Sequence, residues 1–495
     1  MKKEFGLSKS KVIQGIQCPK ALYFSKHNPE LKTEPSSGQL AIFETGHAVG
    51  RYAQKWFPEG ILIDTPRVDG SLALELTDEA IKNGALALFE AAFVHEGVLI
   101  RADIISRTAV DSPWDLFEVK SSTEVKDVHL QDAAIQAWVM KGAGIRLGKV
   151  SIMYVNNQCT YPDLSDLFST EDVTQKLKPL LQKVPEIVST LKGVLAKPAT
   201  PEIEIGPRCD SPYECEYKSH CWGKAKVPDL SVLDIPRLNS KKKWALFNRG
   251  IITPKQALAS GESFNEIQSR MLEVTASGKR FLDTKPIKKG VSDWDYPFHY
   301  FDFETTNPAI PRHEGAHPYQ MIPFQFSCHV TEKPGAKLKH YEYLHDDLSD
   351  PREPLILAML KCIGKTGSVI AYNKTFEATR IKELARDFPK YAKQLLNISK
   401  RLVDPLPLVR ASIYDKGFLG GFSLKEVGVS LLGDEMAYAG MTVGDGTEAQ
   451  NAFEEMIAES TGPARKAELK NGLLKYCEKD TYVMVELVEW MMTLK

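Results

Sequence analysis

Two strand-like runs, far apart in the chain, each carry charged side chains two residues apart. Trp114–Lys120 holds Glu118 and Lys120 at that spacing, and Tyr300–Thr305 holds Asp302 and Glu304. Side chains alternate along a strand, so each pair leaves a single face of its own strand. Helical and turn patterns separate the runs, so the chain is expected to build two sheets, each with a charged face inside a domain. Its 495 residues exceed one ordinary domain and leave room for both.

Hydrophobic residues make up 43% and charged residues 26%, a normal globular balance with material for more than one core. Lys and Arg number 63 against 64 Asp and Glu, a formal charge of −1. That total neither announces nor excludes a nucleic-acid partner, because carboxylates at metal sites offset basic grooves in the sum. No long apolar run follows the first lysines, so no secretory signal is expected, and none is long enough to span a membrane. The expected location is cytoplasmic, with no membrane partner. Eight cysteines there point to metal, catalysis or burial before disulfides.

The fold class expected is α/β. Residues 1–225 form one domain. Helical patterns cover Ser10–Lys26, Gln39–Phe57 and Asp78–Glu90, and the strands Gly97–Ser106 and Trp114–Lys120 join through the turn-rich Arg107–Pro113. A helix near Val128–Lys141 and a strand over Lys149–Val155 complete a mixed sheet with flanking helices. Residues 226–291 read as a small helical connector, broken at Gly250 and Pro254. Residues 292–495 form another domain. Its strands are His299–Glu304, Pro323–Thr331 and Ser368–Tyr372, with a helix over Glu377–Asp387 and a long closing helix over Leu473–Leu494.

Asp103 lies on the strand before Glu118, and two carboxylates suit a hard cation such as Mg²⁺ or Mn²⁺. Such an ion generates hydroxide near neutral pH and offsets charge on phosphorus, and Lys120 beside it can steady that charge. Taken alone, Asp…Glu-x-Lys also describes a plain ion pair on a strand. Its surroundings add His47 on an upstream helix and Gln131 and Gln136 on a downstream one. This order resembles the RecB-like branch of the PD-(D/E)XK nucleases, with their restriction-endonuclease-like fold. The resemblance implies metal ligation by His47, Asp103 and Glu118, catalysis by Lys120, and substrate positioning by Gln131 or Gln136. The family's tyrosine four residues past the glutamine is absent, with Ile135 in its place after Gln131.

Cys18 precedes this core, and Cys209, Cys215 and Cys221 follow it. One cysteine before and three after resemble the iron–sulfur staple of RecB-like nucleases, which implies a [4Fe–4S] cluster. Structural Zn²⁺ and unligated burial are the alternatives. The gap from Cys209 to Cys215 is wider than that pattern expects. Cys159, Cys328, Cys362 and Cys477 show no ligand spacing and read as packing residues.

In the C-terminal domain Asp302 and Glu304 are joined by Glu377, which opens a helix, and by Tyr476 and Asp480, four apart on the last helix. The four acids could hold two metal ions, with Tyr476 orienting water or phosphate. This order resembles the DEDD exonucleases of RNase H-like fold, in their tyrosine subclass. Glu377 stands where aspartate is usual, and Asp404 is a fallback acid.

Nearly the whole chain resembles a prokaryotic family that fuses these two nuclease types. The resemblance implies a metal-dependent nuclease with two active sites, trimming from 3′ ends at the C-terminal one. The expected partner is nucleic acid, with single-stranded DNA favoured over RNA. The alternative is one active nuclease domain with the C-terminal domain as a binding or scaffold module. Gly364-Lys365-Thr366 ends like a P-loop, but Met359 stands where its first glycine belongs. Without a motor of its own, the protein would act on frayed ends or borrow a helicase within repair or defence.

Overall fold

In the computed structural model, residues 6–66 and 69–494 are described. The chain divides by contacts into two compact units. One comprises the residues up to Lys226 with Pro308–Tyr319, and the other Val227–Asn307 with the residues from Gln320 on. Both are mixed α/β, and no described helix is long and apolar enough to cross a membrane.

The first unit is built on a seven-stranded sheet. Its strands are β1 (Leu7–Ser8), β2 (Ile61–Leu62), β3 (Ala87–His95), β4 (Val98–Ser106), β5 (Trp114–Lys120), β6 (Leu147–Val155) and β7 (Phe168–Asp172). They run in the order β2-β3-β4-β5-β6-β7, with β1 beside the start of β4. Glu96 and Gly97 both have positive φ, the geometry of a tight hairpin turn, and join β3 to β4. The helices that matter are α1 (Lys9–Gln17), α2 (Pro19–His27), α3 (Ser37–Ala53), α4 (Gly70–Lys82) and α5 (Asp127–Gly142). Ala133, Ala137 and Met140 of α5 share a core with Leu88, Ile100 and Leu116. Val49 and Ala53 of α3 join cores with Val119, Phe89 and Ile104. Leu116 and Val119 point to opposite faces of β5, so α5 and α3 cover opposite sides of the sheet.

Two helix expectations for this unit fail: the run Ser10–Lys26 breaks at Cys18 into α1 and α2. The helix foreseen over Asp78–Glu90 stops at Lys82, and the chain turns at Gly84, where φ is +84°. Ala87 onward becomes β3, because pairing with β4 buries its apolar run on both faces.

The second unit holds a five-stranded sheet and a small β-ladder. After β8 (Phe281–Leu282) come β9 (Phe298–Thr306), β10 (Ile322–Thr331), β11 (Lys339–Leu344), β12 (Val369–Ile370), β13 (Leu402–Val403) and β14 (Ile413–Tyr414). The order is β11-β10-β9-β12-β13. β10 runs antiparallel to β9 and β12 runs parallel to it. Phe301 and Phe303 face a core with Leu355 and Ile381 of the helices Arg352–Cys362 and Thr375–Asp387. Phe298 and Tyr300 face Met484, Val485 and Val488 of the closing helix Pro463–Thr493. Alternation therefore turns Asp302 and Glu304 toward that helix.

The stretch 226–291 does not stand apart as a connector. Val232, Leu246, Met271 and Ile287 share one core with Val409, Phe418 and Leu487, so it is part of the second unit. The strand expected over Ser368–Tyr372 shrinks to Val369–Ile370. Gly367 precedes it with φ +85°, and an added Cβ would lie 2.1 Å from the carbonyl oxygen of Pro297. Gly367→Ala is expected to cost at least about 2 kcal/mol through this clash and the left-handed backbone. Urea unfolding should show the second unit's transition at lower denaturant and the first unit's unmoved.

Candidate metal centres

The first centre lies on the α5 side of the first sheet. Ile104 pairs with Phe117 and Ile105 with Leu116, and one further step in that register sets Asp103 opposite Glu118. Phe89 pairs with Ile104 and Ala91 with Ala102, which sets Glu90 opposite Asp103. Three carboxylates thus form one row across β3, β4 and β5. Facing Cβ atoms in such rows lie about 4.5–5.5 Å apart. Glu90 has φ +55°, a conformation that side chains other than glycine rarely adopt inside a strand.

Glu118 is almost wholly buried. Its Oε1 accepts from Lys120 Nζ at 2.7 Å and from Lys9 Nζ at 2.8 Å, and its Oε2 accepts from Gln136. Burial opposes its ionisation, but the Lys120 and Lys9 ammoniums outweigh that and hold the carboxyl well below the usual range. Lys120 also donates to Asp132 at 2.5 Å. Asp103 accepts the backbone N–H of Val119 at 2.8 Å. Burial, followed by the charge of Glu118, pushes its carboxyl up to about 7, and Glu90 adds to the rise.

The geometry separates the two glutamines. Gln136 is fully buried against Glu118, and its Oε1 has no partner. Gln131 is only partly buried, one turn earlier on α5. His47 sits exposed on α3, on the opposite side of the sheet from Glu118, with Nδ1 3.8 Å from Glu44. Sequence patterns missed Lys9, Glu90 and Asp132. Lys9 is 109 positions from its partner and carries no local signal.

Cys18, Cys209, Cys215 and Cys221 line one cavity, closed by Phe24, Ile203 and Tyr217. All four are free thiols. Burial raises Cys209, Cys221 and Cys215, the last to about 11, and neighbouring thiols add to the rise at Cys209 and Cys215. Cys215 N–H donates to the Cys209 carbonyl at 2.8 Å, so the wide gap between them loops back on itself. Four converging thiols in an apolar shell suit a metal or cluster that takes thiolates.

In the second unit Asp302, Glu304 and Cys477 bring one ligating atom each within 4.8 Å of one another. Cys477 Sγ lies 4.0 Å from Asp302 Oδ2, so this thiol is part of the acid site and more than a packing residue. Burial raises the Asp302 and Glu304 carboxyls well above the usual range, and Asp480 is the next cause for each. Glu377 is buried, with Oε2 unpartnered, and burial pushes it up to about 8. Its charge is felt at both Asp302 and Glu304, so the four acids converge. Burial raises Asp480 as well, against hydrogen bonds from Tyr438 and Tyr476. Tyr476 is buried. Lys425 Nζ, 4.8 Å from the Tyr438 ring centroid and 4.9 Å from that of Tyr476, is the cation felt at Asp302, Glu304 and Asp480 alike.

Asp404, the fallback acid of the sequence, is engaged by backbone donors. It caps the helix Pro405–Ser412 through Leu406 N–H and accepts from the N–H groups of Asn373 and Lys374 at 3.0 and 3.2 Å. It thereby fixes the left-handed turn at Asn373, φ +68°, that launches the Glu377 helix.

Residues 299–423 match a family described as "Domain of unknown function (DUF2779)". The match takes in Asp302, Glu304, Glu377 and Asp404 and ends before Tyr476 and Asp480. Among solved structures, "Crystal structure of SSO0001" is similar at 13% identity, over 41% of this chain and 90% of that one, with a TM-score of 0.18. A likeness at that level carries no argument. No curated protein matches the sequence.

An acid with a raised pKa binds its proton more tightly when folded. The contribution of Asp103 is therefore full below its unfolded value near 4 and is lost as pH rises through about 7. In EDTA, the first unit is expected to lose stability across that window, by up to about 1.4 kcal/mol per pH unit. Denaturant midpoints against pH should show the slope in wild type, flattened in Asp103→Asn and moved to lower pH in Glu90→Gln.

Proposed function

We propose that the chain is a divalent-metal-dependent nuclease that hydrolyses phosphodiester bonds, with single-stranded DNA ends favoured over RNA. The observation that carries this reading is the convergence of Asp302, Glu304, Glu377 and Asp480, carboxyls that burial raises, with Asp480 and Glu377 adding repulsion at Asp302 and Glu304. Only Lys425 answers them among the cations felt at Asp302, Glu304 and Asp480 alike. Mg²⁺ or Mn²⁺ would relieve that repulsion, which suits a two-metal phosphoryl-transfer site. The acids would hold the ions, and the ions would activate water and stabilise the leaving oxygen. Tyr476, bonded to Asp480, would steady the scissile phosphate. The buried free oxygen of Glu377 favours its serving as a ligand despite its extra methylene.

The finer fold assignment belongs to the same reading. A central β9 between antiparallel β10 and parallel β12 fits an RNase H-like domain. β4 and β5 joined antiparallel, with β6 parallel to β5 across α5, fit a PD-(D/E)XK domain. There Asp103 and Glu118 would ligate the metal, Lys120 would stabilise charge, and Gln136 is the glutamine placed to orient the Glu118 carboxylate. The four thiols would hold a [4Fe–4S] cluster, with Zn²⁺ as the other candidate.

A second reading has one live site, in the C-terminal unit, with the N-terminal unit holding nucleic acid. It rests on Glu118, whose charge Lys9 and Lys120 already balance without a metal.

The test is cleavage of end-labelled single-stranded DNA and RNA in Mg²⁺ or Mn²⁺ by anaerobically purified protein. Asp302→Ala and Glu118→Ala should each lose a different product ladder, by more than about a hundredfold. Loss in Asp302→Ala alone supports the second reading, and wild-type rates in both and in the double variant overturn the nuclease assignment. Cys215→Ala should lose the brown colour of a cluster and aggregate; a stable, colourless, active variant contradicts the staple.

A further inference from the structure

A second ligating cluster lies on the second sheet, outside the acid site. His329 on β10 and His340 on β11 are direct cross-strand partners. Their rings stack at 4.4 Å between centroids, tilted by 26°. Glu478 of the closing helix completes the group, and one ligating atom from each lies within 4.8 Å of the others. His329 is buried, while Glu478 is half exposed at the rim.

The hydrogen bonds around the rings fix where their protons sit. His329 Nδ1 lies 2.8 Å from Thr481 Oγ1, and His340 Nε2 lies 2.9 Å from Ser327 Oγ. The two hydroxyls are 2.6 Å apart, and Thr481 donates to the carbonyl of Glu478 at 3.0 Å. One set of directions satisfies the chain: His340 N–H to Ser327, Ser327 to Thr481, His329 N–H to Thr481, Thr481 to the carbonyl. Each ring then spends its single proton on a hydroxyl and turns its other nitrogen's lone pair away from that network. For His340 this is Nδ1, 3.7 Å from Glu478 Oε1. A lone pair facing a carboxylate repels it unless a cation stands between them.

We propose that His329, His340 and Glu478 form a binding site for a first-row transition-metal dication, Zn²⁺ foremost. Imidazole nitrogens with one carboxylate are borderline-soft donors that favour such ions over Mg²⁺. Ser327 and Thr481 act as the outer partners that orient metal-binding histidines. Bond lengths near 2.0–2.2 Å bring ligand atoms to about 3.3–3.5 Å from one another, so binding would draw in the exposed Glu478 side chain and splay the stacked rings until both lone pairs meet the ion. The bound ion would tie the closing helix to the β10–β11 pair. The site stands whether or not the acid cluster cuts nucleic acid.

The test is equilibrium dialysis of the full-length protein against Zn²⁺ in excess Mg²⁺, followed by metal counting, with iron counted in the same samples. Mg²⁺ competes at the acid sites, and any zinc held by the cysteine set is common to every variant. Wild type should retain one more equivalent of zinc than Glu478→Gln or His340→Gln, and Ser327→Ala should bind about 10–100-fold more weakly. Cu²⁺ in the same site should give an electron paramagnetic resonance signal coupled to two nitrogens. Equal zinc in wild type and Glu478→Gln, a rim substitution that leaves the core intact, overturns the proposal and leaves His340 and Glu478 as a plain ion pair.

Discussion

A carboxylate taken out of water needs a counter-charge, a proton or a metal, and the two units answer that need in opposite ways. In the first, Glu118 is surrounded by its own cations. Lys9 arrives from α1 and Lys120 from the same strand, and Gln136 covers the remaining oxygen. In the second, carboxyls face each other with one shared lysine and two tyrosine hydroxyls, and burial favours their protonated forms. The first arrangement is nearly complete as it stands. In the second, burial and neighbouring acids disfavour ionisation, and a divalent ion would bind there by displacing protons.

Both arrangements depend on strand register. Asp103 and Glu90 reach the row of Glu118 only because β3, β4 and β5 are in step, and a slip of one residue would turn every acid to the other face. In the second unit, even-numbered positions of β9 face the closing helix while Phe301 and Phe303 anchor the opposite core. The aromatic residues thus aim the acids.

This explains which parts were legible in the sequence. Glu118 with Lys120, and Asp302 with Glu304, show as spacings of two inside strong apolar strands, so strand and face could be read together. Tyr476 and Asp480 show as a spacing of four in a long helix. The cysteine set was legible as a group because thiols are scarce. Lys9, Glu90, Lys425 and Tyr438 were not, because each reaches its site through tertiary contact and no period marks it. Ala85–Phe89 fits a helix face as well as a strand, and the decision lies with β4, which local sequence does not contain. Asp404 looked like a ligand because acids of both uses share a composition; its three backbone donors reveal a clamp.

α1 joins two of these features through nine residues, a rod of about 13 Å. Lys9 at its first position holds Glu118, and Cys18, its C-cap, stands among the four thiols. A helix this short is too stiff to let one end move alone. Mechanically it is a strut, and it sets a fixed spacing between the sulfur end and the Lys9–Glu118 ion pair.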